Sequence, residues 1–281
     1  MNDSEFRSIT AYLDRVHGLD LSAYKSTAMK RRLEAYLTRM RAGSWAEYVV
    51  RLEREPEEGH RLRDYLTISV TSFFRDADRY EVLRREILPE LLDTTRSLAA
   101  WSAGCSDGPE PYTLAMLFHS LAPRRRVRIW ATDIDRQGLA RARAGGPYSA
   151  SAIQLLPSDL SSRYLVPMAG GFGVVPSLVR RVTFQEHDVL RDPISGSFDL
   201  IACRNVIIYL TEEARTRLFD RLASSLRPGG VLFVGAAESV PMDQARALGL
   251  ERLRMSFYRR VTAGDNIVSP NLWVGMGVSD G

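Results

Sequence analysis

The pattern of apolar positions divides the chain into a helical first quarter and a longer part in which strands and helices alternate. Up to about residue 66 the apolar residues recur at helical spacing, which predicts four successive helices. These are a helix capped by Asp3 or Ser4, a helix that ends at Gly43, a helix that opens with a capping box at Ser44, and a helix over about 58–66. Residues 1–70 are therefore predicted to form an all-helical N-terminal domain.

Strand-like runs dominate the rest of the chain. β-branched and aromatic residues break the helical period near residue 71, so residues 71–97 are interpreted as a linker, anchored by Phe73 and Phe74, and a connecting helix. Beyond it, runs of strand type alternate with helical segments, which is typical of a mostly parallel sheet with right-handed crossovers. The strand-like runs are 98–101, 127–132, 182–185, 198–203, 231–235 and 254–261. We expect this α/β domain to cover 98–262 and to be followed by an irregular tail at 263–281.

The alternation fails between Tyr148 and Val182. Here the segments FGVVP (172–176) and SLVRR (177–181) contain strand-forming residues beside glycine and proline. They predict a small antiparallel β insertion at about 165–184.

Composition limits the class of protein. Hydrophobic residues make up 45% and charged residues 26% of the chain, as in ordinary globular proteins. No apolar run approaches the roughly 18 residues of a membrane span, and the first residues lack a signal-peptide pattern. The two cysteines and four scattered histidines suit neither a disulfide framework nor a metal site. We expect a cytoplasmic monomer without a structural metal or stable membrane insertion.

Two features suggest a nucleotide-type ligand. The stretch WSAGCSDGPEPY (101–112) places a glycine-rich turn between a strand and a helix, where bare backbone N–H groups can approach a ligand. Its spacing is not the G-x-G-x-x-G fingerprint of dinucleotide-binding folds. The next strand ends at Asp133, where an acid often holds a ribose diol. Taken without further motifs, this pair of features is equally compatible with an ordinary turn and cap.

The net charge of +4 has a local origin. Residues 25–41 contain six basic residues against a single acid, and Lys30, Arg31 and Arg41 are predicted to face away from the apolar stripe. Such a face is most often simply solvated. The alternatives are contact with nucleic acid or with an acidic protein surface.

Six segments together resemble the CheR-type chemotaxis receptor methyltransferases. They are TSFFR (71–75), GCSDGPEPY (104–112), ATDID (131–135), HDVL (187–190), FDLIACRNVIIY (198–209) and LRPGG (226–230). The resemblance spans about 4–261. It implies an all-helical N-terminal domain followed by a class I, Rossmann-like methyltransferase sheet with a small β insertion. It also implies S-adenosylmethionine as cofactor, S-adenosylhomocysteine as product, and glutamate side chains of methyl-accepting chemotaxis receptors as acceptors.

The resemblance assigns roles to individual residues. It implies that Asp133 holds the ribose, that Glu110 lies near the methionine ammonium, and that Tyr209 lines the acceptor pocket. The complete set of implied cofactor contacts is Ser69, Thr71, Arg75, Gly104, Glu110, Asp133, Asp188, Val189, Asn205 and Val206. Three positions depart from the family pattern and bear on the expected affinity for the cofactor: Ser69 where Asn is common, Asp107 where Thr is common, and Pro109 where Glu is common.

The implied chemistry needs no strong base. A glutamate side chain with a pKa near 4.3 is already an ionised nucleophile at neutral pH. The rate must then come from alignment and from removal of water, and this makes Arg75 and Tyr209 the catalytic candidates. For both residues a structural role, in an ion pair or in packing, is the alternative. Lys30, Arg31 and Arg41 are expected to bind the acidic acceptor.

Two other functions stay open at this point. The acceptor could be another acidic protein or a small carboxylate, or the chain could be a cofactor-binding regulatory module without turnover. A nucleic-acid methyltransferase is disfavoured because the segment CRNV (203–206) lacks the Asn/Asp-Pro-Pro-aromatic element typical of amino-group methylation. We therefore expect no nucleic-acid partner.

Overall fold

The computed structural model describes residues 1–67 and 71–261. The predictions for Ser69 and for the tail at 263–281 fall outside the described residues. Among the residues that are described, no helix is both long enough and apolar enough to span a membrane.

The N-terminal domain consists of helices, as predicted. These are α1 (Asp3–His17), α2 (Ser26–Met40), α3 (Trp45–Arg54) and α4 (Pro56–Thr67). Each contributes apolar side chains to one core, in which Leu13, Leu33, Leu52 and Leu62 are almost completely buried. This burial, rather than helix propensity alone, stabilises such short helices.

Two predicted helix ends were wrong. Asn2, not Asp3 or Ser4, caps α1: its side chain accepts the Glu5 N–H at 2.9 Å and its own N–H donates to the Glu5 carboxylate at 2.7 Å. Asparagine caps as well as serine or aspartate, so the sequence did not discriminate among them. Helix α2 ends before Gly43 because Arg41 adopts a left-handed conformation (φ 52°) and donates its N–H to the carbonyls of Leu37 and Thr38.

A helical segment joins the two domains. It comprises α5 (Ala77–Val82), a π-helical turn (Leu83–Ile87) and α6 (Leu88–Thr94). Just before it, Phe73 and Phe74 are 0% and 1% exposed. The Phe74 ring stacks on Tyr80 with a centroid distance of 5.0 Å. The anchoring of both phenylalanines is therefore confirmed.

The second domain is a seven-stranded sheet with helices in most of its connections. Its elements follow in the order β1 (Leu98–Ala103), α7 (Pro109–Leu121), β2 (Val127–Asp133), α8 (Arg136–Ala144), α9 (Ala150–Ile153), α10 (Ser158–Tyr164), β3 (Leu165–Met168), β4 (Gly171–Val174), α11 (Pro176–Val179), β5 (Val182–Glu186), β6 (Phe198–Cys203), α12 (Glu212–Ser225), β7 (Leu226–Val234), α13 (Met242–Ala247), β8 (Leu250–Arg254) and β9 (Phe257–Arg260).

The strand order is β5-β2-β1-β6-β7-β9-β8. Neighbours among the first five strands are parallel, β9 is antiparallel to β7, and β8 is antiparallel to β9. Strands β3 and β4 form a separate antiparallel pair, which confirms the predicted small insertion in the fold. The chain leaves β1 towards β2 on one side and later returns to β6 on the other. The loops after β1 and β6 therefore diverge and open a crevice at the carboxyl ends of these strands.

The end of the sheet differs from the prediction of a single strand at 254–261. The structure has a hairpin there, in which β8 and β9 are joined through Met255 and Ser256, and Ser256 has a φ of 72°. Strand β8 was missed because it lies at the edge of the sheet, where its charged side chains are solvated and no apolar run marks it.

Candidate active site

A cleft of about 1150 Å³, including its open mouth, lies at the carboxyl ends of β1, β2 and β6. Linker residues and residues of the helical domain close its other side. The cleft brings together every predicted cofactor and catalytic residue that the structure describes: Thr71, Arg75, Gly104, Glu110, Asp133, Asp188, Val189, Asn205, Val206 and Tyr209.

The turn after β1 has no room for a side chain at Gly104. This residue has a φ of 81°, and a Cβ atom there would lie 2.5 Å from Cγ2 of Val206. The N–H groups of Gly104 and Cys105 both donate to the carbonyl of Thr132, at 2.8 and 2.9 Å. These bonds fix the turn beside the end of β2, so that the backbone itself forms part of the cleft wall.

Asp133 presents a carboxylate held by backbone N–H groups. One oxygen accepts the Ser106 N–H at 2.8 Å and the other accepts the Asp135 N–H at 2.9 Å. Each oxygen keeps a further lone pair for a ligand. Burial outweighs the two hydrogen bonds and raises the pKa of Asp133 to about 6. This carboxylate is thus fixed in position but only partly stabilised in its charged form.

Glu110 is buried at the start of α7. Its carboxylate accepts the Ser102 hydroxyl at 2.7 Å and lies 3.5 Å from the guanidinium of Arg204. Burial raises the pKa of Glu110, although Arg204 opposes this shift. A positively charged ligand group next to Glu110 would further stabilise its ionised form.

Arg204 is a site residue to which the sequence analysis gave no role. It is 5% exposed and lies over the rings of Tyr80 and Phe233, with centroid distances of 4.8 and 4.5 Å. Its guanidinium donates to the Arg75 carbonyl and to the Asp76 carboxylate, both at 2.7 Å. Arg204 therefore connects the linker to the sheet directly beneath Arg75.

Glu238 was also missed. It is 7% exposed, and its two oxygens accept four backbone N–H groups around the loop after β6. This loop carries Asn205, whose φ of 60° is unusual for a residue other than glycine. The Glu238 carboxylate therefore accepts hydrogen bonds from backbone N–H groups for which the loop provides no carbonyl acceptor. No sequence pattern connects it to Asn205, because the two are 33 positions apart.

A tight turn after β5 supplies the adjacent pair Asp188 and Val189. One Asp188 oxygen accepts the Leu190 N–H at 2.8 Å, and the Asp188 N–H donates to Asp192 at 2.8 Å. Val189 is 9% exposed. The turn thus presents one charged and one apolar side chain to the same part of the cleft.

The helical domain forms a whole wall of the cleft, which the sequence analysis did not predict. Its contributions are Leu19, Leu21, Tyr24, Met29, Arg32 and Leu66. Main-chain hydrogen bonds join this wall to the turn that carries Tyr209. The Lys25 N–H donates to the Tyr209 carbonyl and the Thr211 N–H donates to the Ala23 carbonyl, both at 2.8 Å.

The predicted acceptor-binding residues lie outside this cleft. Lys30 pairs with Asp3 and lies over the ring of Phe6, whereas Arg31 and Arg41 are exposed. The basic residue of α2 that lines the cleft is Arg32, which also donates to the Tyr65 carbonyl at 2.7 Å. The acceptor role of the three other residues stays a prediction.

The structure shows the surroundings of Asp107 and Pro109, two of the residues that depart from the family pattern. Pro109 is the first residue of α7, where a missing N–H costs nothing. The carboxylate of Asp107 faces Arg141 on α8 at 3.9 Å and does not line the cleft. It therefore does not replace the acid that the family commonly has at 109.

Comparison with known proteins gives a consistent result. Residues 4–67 match the family model for the CheR methyltransferase all-alpha domain, and residues 69–254 match the model for the CheR methyltransferase SAM-binding domain. A chemotaxis protein methyltransferase of Listeria monocytogenes is 35% identical over 91% of this chain and 97% of its own. Chemotaxis protein methyltransferase 2 of Pseudomonas aeruginosa is 35% identical over 84% of this chain and 86% of its own.

Proposed function

This chain belongs to the CheR methyltransferase family, and we propose that it methylates glutamate side chains of methyl-accepting chemotaxis receptors, forming methyl esters. It is an S-adenosylmethionine-dependent methyltransferase, with S-adenosylhomocysteine as product. The observation that carries the proposal is a single cleft that contains Asp133 and Glu110 together with Arg75 and Tyr209. Carboxylates that suit a cationic cofactor thus share one space with groups that suit an anionic acceptor.

The donor set of the cleft fits S-adenosylmethionine. Asp133 offers two oxygens with free lone pairs to the ribose hydroxyls, and Glu110 offers a carboxylate to the methionine ammonium. Asp188 and Val189 would flank the adenine. When bound, this cofactor supplies an electrophilic methyl group on a sulfonium. The remaining proposed contacts are Ser69, Thr71, Arg75, Gly104, Asn205 and Val206.

Arg75 and Tyr209 are proposed to act on the acceptor. The acceptor carboxylate needs no proton removed, because it is ionised at neutral pH. Arg75 would hold it by charge-assisted hydrogen bonds and Tyr209 would orient it. The bond from Arg204 to the Arg75 carbonyl supports this assignment, because it fixes the backbone from which the Arg75 side chain extends. Alignment of this kind can contribute several kcal/mol to the rate.

The proposal extends to the partner and to the organisation of the chain. Lys30 and Arg31 on α2, with Arg41 directly after it, would attract an acidic receptor surface. We propose domains at 1–70 and 98–262, joined by 71–97 and followed by a tail at 263–281, with the β insertion at about 165–184. A cytoplasmic location and a monomeric state belong to the same proposal.

Transfer of labelled methyl groups tests the function. The protein is incubated with labelled S-adenosylmethionine and receptor-containing membranes, and with matched membranes that lack receptors. We expect label on the receptor band that mild alkali releases, as it must from an ester. Label that resists alkali, or label that is equal in both membranes, would refute the proposal.

A further inference from the structure

A second concave surface lies on one face of the sheet and is lined largely by residues that are not in the active-site cleft. In this fold helices normally cover both faces of the sheet. The connection from β5 to β6, residues 187–197, contains no helix. Alternate side chains of the outer strands, Arg128 and Trp130 on β2 and Thr183 and Gln185 on β5, are therefore open to solvent.

These side chains form the floor of a groove whose rim is basic. The groove is lined by arginines from the loop before β2, from β2 itself, from the residues after α11, and from the start of β7. No Asp or Glu side chain lines it among the described residues. We call this surface the arginine groove.

Most of these arginines lack an internal counter-charge. Arg227 pairs with Asp199 at 2.6 Å, and Arg125 donates to the Leu92 carbonyl. The other five make no ion pair or side-chain hydrogen bond within residues 1–67 and 71–261: Arg124, Arg126, Arg128, Arg180 and Arg181. Five like charges around one concavity repel one another, and an anion bound between them would relieve that repulsion.

The floor of the groove adds an aromatic surface. The Trp130 ring is partly exposed, and it stacks on Phe198 with a centroid distance of 5.7 Å and an interplanar angle of 4°. Its indole N–H donates to the Gln185 side chain at 3.1 Å, which fixes the ring orientation. An indole ring fixed in one orientation can stack on a flat heterocycle, and the surrounding guanidinium groups can bind phosphates. The surface therefore suits a ligand that combines both groups.

His187 connects this surface to the active site. It is 4% exposed, packs edge-on against Trp130 at 5.1 Å, and lines both the arginine groove and the active-site cleft. Its Nδ1 has no hydrogen-bond partner among the described residues. His187 directly precedes Asp188 and Val189, the pair proposed to flank the adenine. A shift of Trp130 would therefore be transmitted to the cofactor cleft.

We propose that the arginine groove binds a nucleotide with two or more phosphates, with its base on Trp130 and its phosphates among the arginines. Occupancy changes the affinity of the cofactor cleft through His187. This site is separate from methyl transfer and does not depend on the identity of the acceptor.

Calorimetric titration with GTP and ATP tests the proposal. The protein is first saturated with S-adenosylhomocysteine, so that neither nucleotide can occupy the cofactor cleft. We expect saturable binding that weakens as salt rises, and binding of pyrophosphate at least tenfold weaker than that of the preferred nucleotide. In separate titrations without saturation, S-adenosylhomocysteine affinity should change when the nucleotide is present, and this change should be lost in Arg126→Glu, Arg128→Glu; a change that persists in that variant means competition for the cofactor cleft and overturns the coupling.

Charge reversal locates the site. The double variant Arg126→Glu, Arg128→Glu should bind the nucleotide at least about tenfold more weakly, since each lost charge-assisted contact alone has that effect. The matched control is Arg7→Glu, Arg15→Glu, which makes the same change in net charge at exposed positions of α1. Equal thermal unfolding of both variants excludes a folding defect.

Four outcomes would overturn the proposal. They are no saturable binding at millimolar nucleotide, equal weakening by the groove and control variants, pyrophosphate binding as tight as nucleotide binding, and displacement of the nucleotide by polyglutamate or by RNA at far lower concentration. The first two mean a merely solvated basic surface. The third means an anion site without base recognition, and the fourth means a macromolecular partner.

Discussion

Glu238 is expected to determine the shape of the active-site loop after β6, and its replacement by glutamine tests this. One carboxylate oxygen accepts the N–H groups of Ile207 and Ile208 at 2.8 and 3.2 Å, and the other accepts those of Asn205 and Gly235, both at 2.8 Å. Glutamine keeps one oxygen and places an NH2 group where the other was. Two N–H donors then face a donor instead of an acceptor.

The expected loss follows from these contacts. A hydrogen bond to a charged group contributes about 1.5–3 kcal/mol, so two lost bonds in a site that is 7% exposed cost about 3–6 kcal/mol. A domain whose free energy of unfolding lies above this loss, within the ordinary range of about 5–15 kcal/mol, stays folded with its loop displaced. Because Asn205 and Val206 line the cleft, we expect S-adenosylhomocysteine affinity to fall at least about tenfold.

Urea unfolding gives the free energy of unfolding, and calorimetry gives the affinity for S-adenosylhomocysteine. The matched control is Glu213→Gln, an exposed position on α12 at which both quantities should hold. If Glu238→Gln unfolds at the same urea concentration as the parent protein and binds the product equally well, the four N–H contacts do not hold the loop.

Three further predictions concern the cleft and α2. Arg75→Ala should keep S-adenosylhomocysteine affinity within a few fold but lose about 100-fold or more in receptor turnover, and Arg75→Lys should recover only part of it, because an ammonium cannot make a bidentate contact. Near-normal turnover in Arg75→Ala would make this residue structural. Since the pKa of Asp133 is about 6 and its ionised form is the one proposed to accept the ribose hydroxyls, product affinity should be constant above pH 7 and about tenfold lower at pH 5. Calorimetry at several pH values measures this, and Asp133→Asn should remove the pH dependence; an unchanged profile in that variant would contradict the assignment. Reversal of Lys30, Arg31 and Arg41 should raise the KM for receptor and leave product affinity unchanged, and receptor kinetics indifferent to both reversal and salt would mean a solvated face.

The bounds of an element are predicted best from the sequence when nearly all of its residues follow a single pattern. Strand β6 has the predicted bounds because five of its six residues are apolar. The sequence also predicts the residues at strand ends, such as Asp133, since parallel strands place their carboxyl ends together. Edge strand β8 has neither an apolar run nor a regular alternation of polar and apolar residues.

The contacts that shape the site are less accessible to sequence reasoning. Glu238 acts on backbone N–H groups, which have no sequence identity, and Arg204 acts on the Arg75 carbonyl. On α2 the consecutive residues Arg31 and Arg32 point about 100° apart around the helix axis. Arg32 faces the cleft because of the way in which the two domains pack against each other, and the sequence of α2 alone does not show this. Helical periodicity describes one element, whereas a wall built by two domains depends on how they meet.

Because the helical domain forms one wall of the cleft, its residues cannot change independently of the active site. Leu19, Leu21 and Met29 serve two surfaces at once, since they pack in the core of the helical domain and line the cleft beside the sheet. Exchanging residues 1–67 for the corresponding part of a relative, in order to change which receptor is methylated, would also replace part of the cleft lining. A change of receptor preference made in this part of the chain would therefore have to keep Leu19, Leu21 and Met29 matched to the sheet domain.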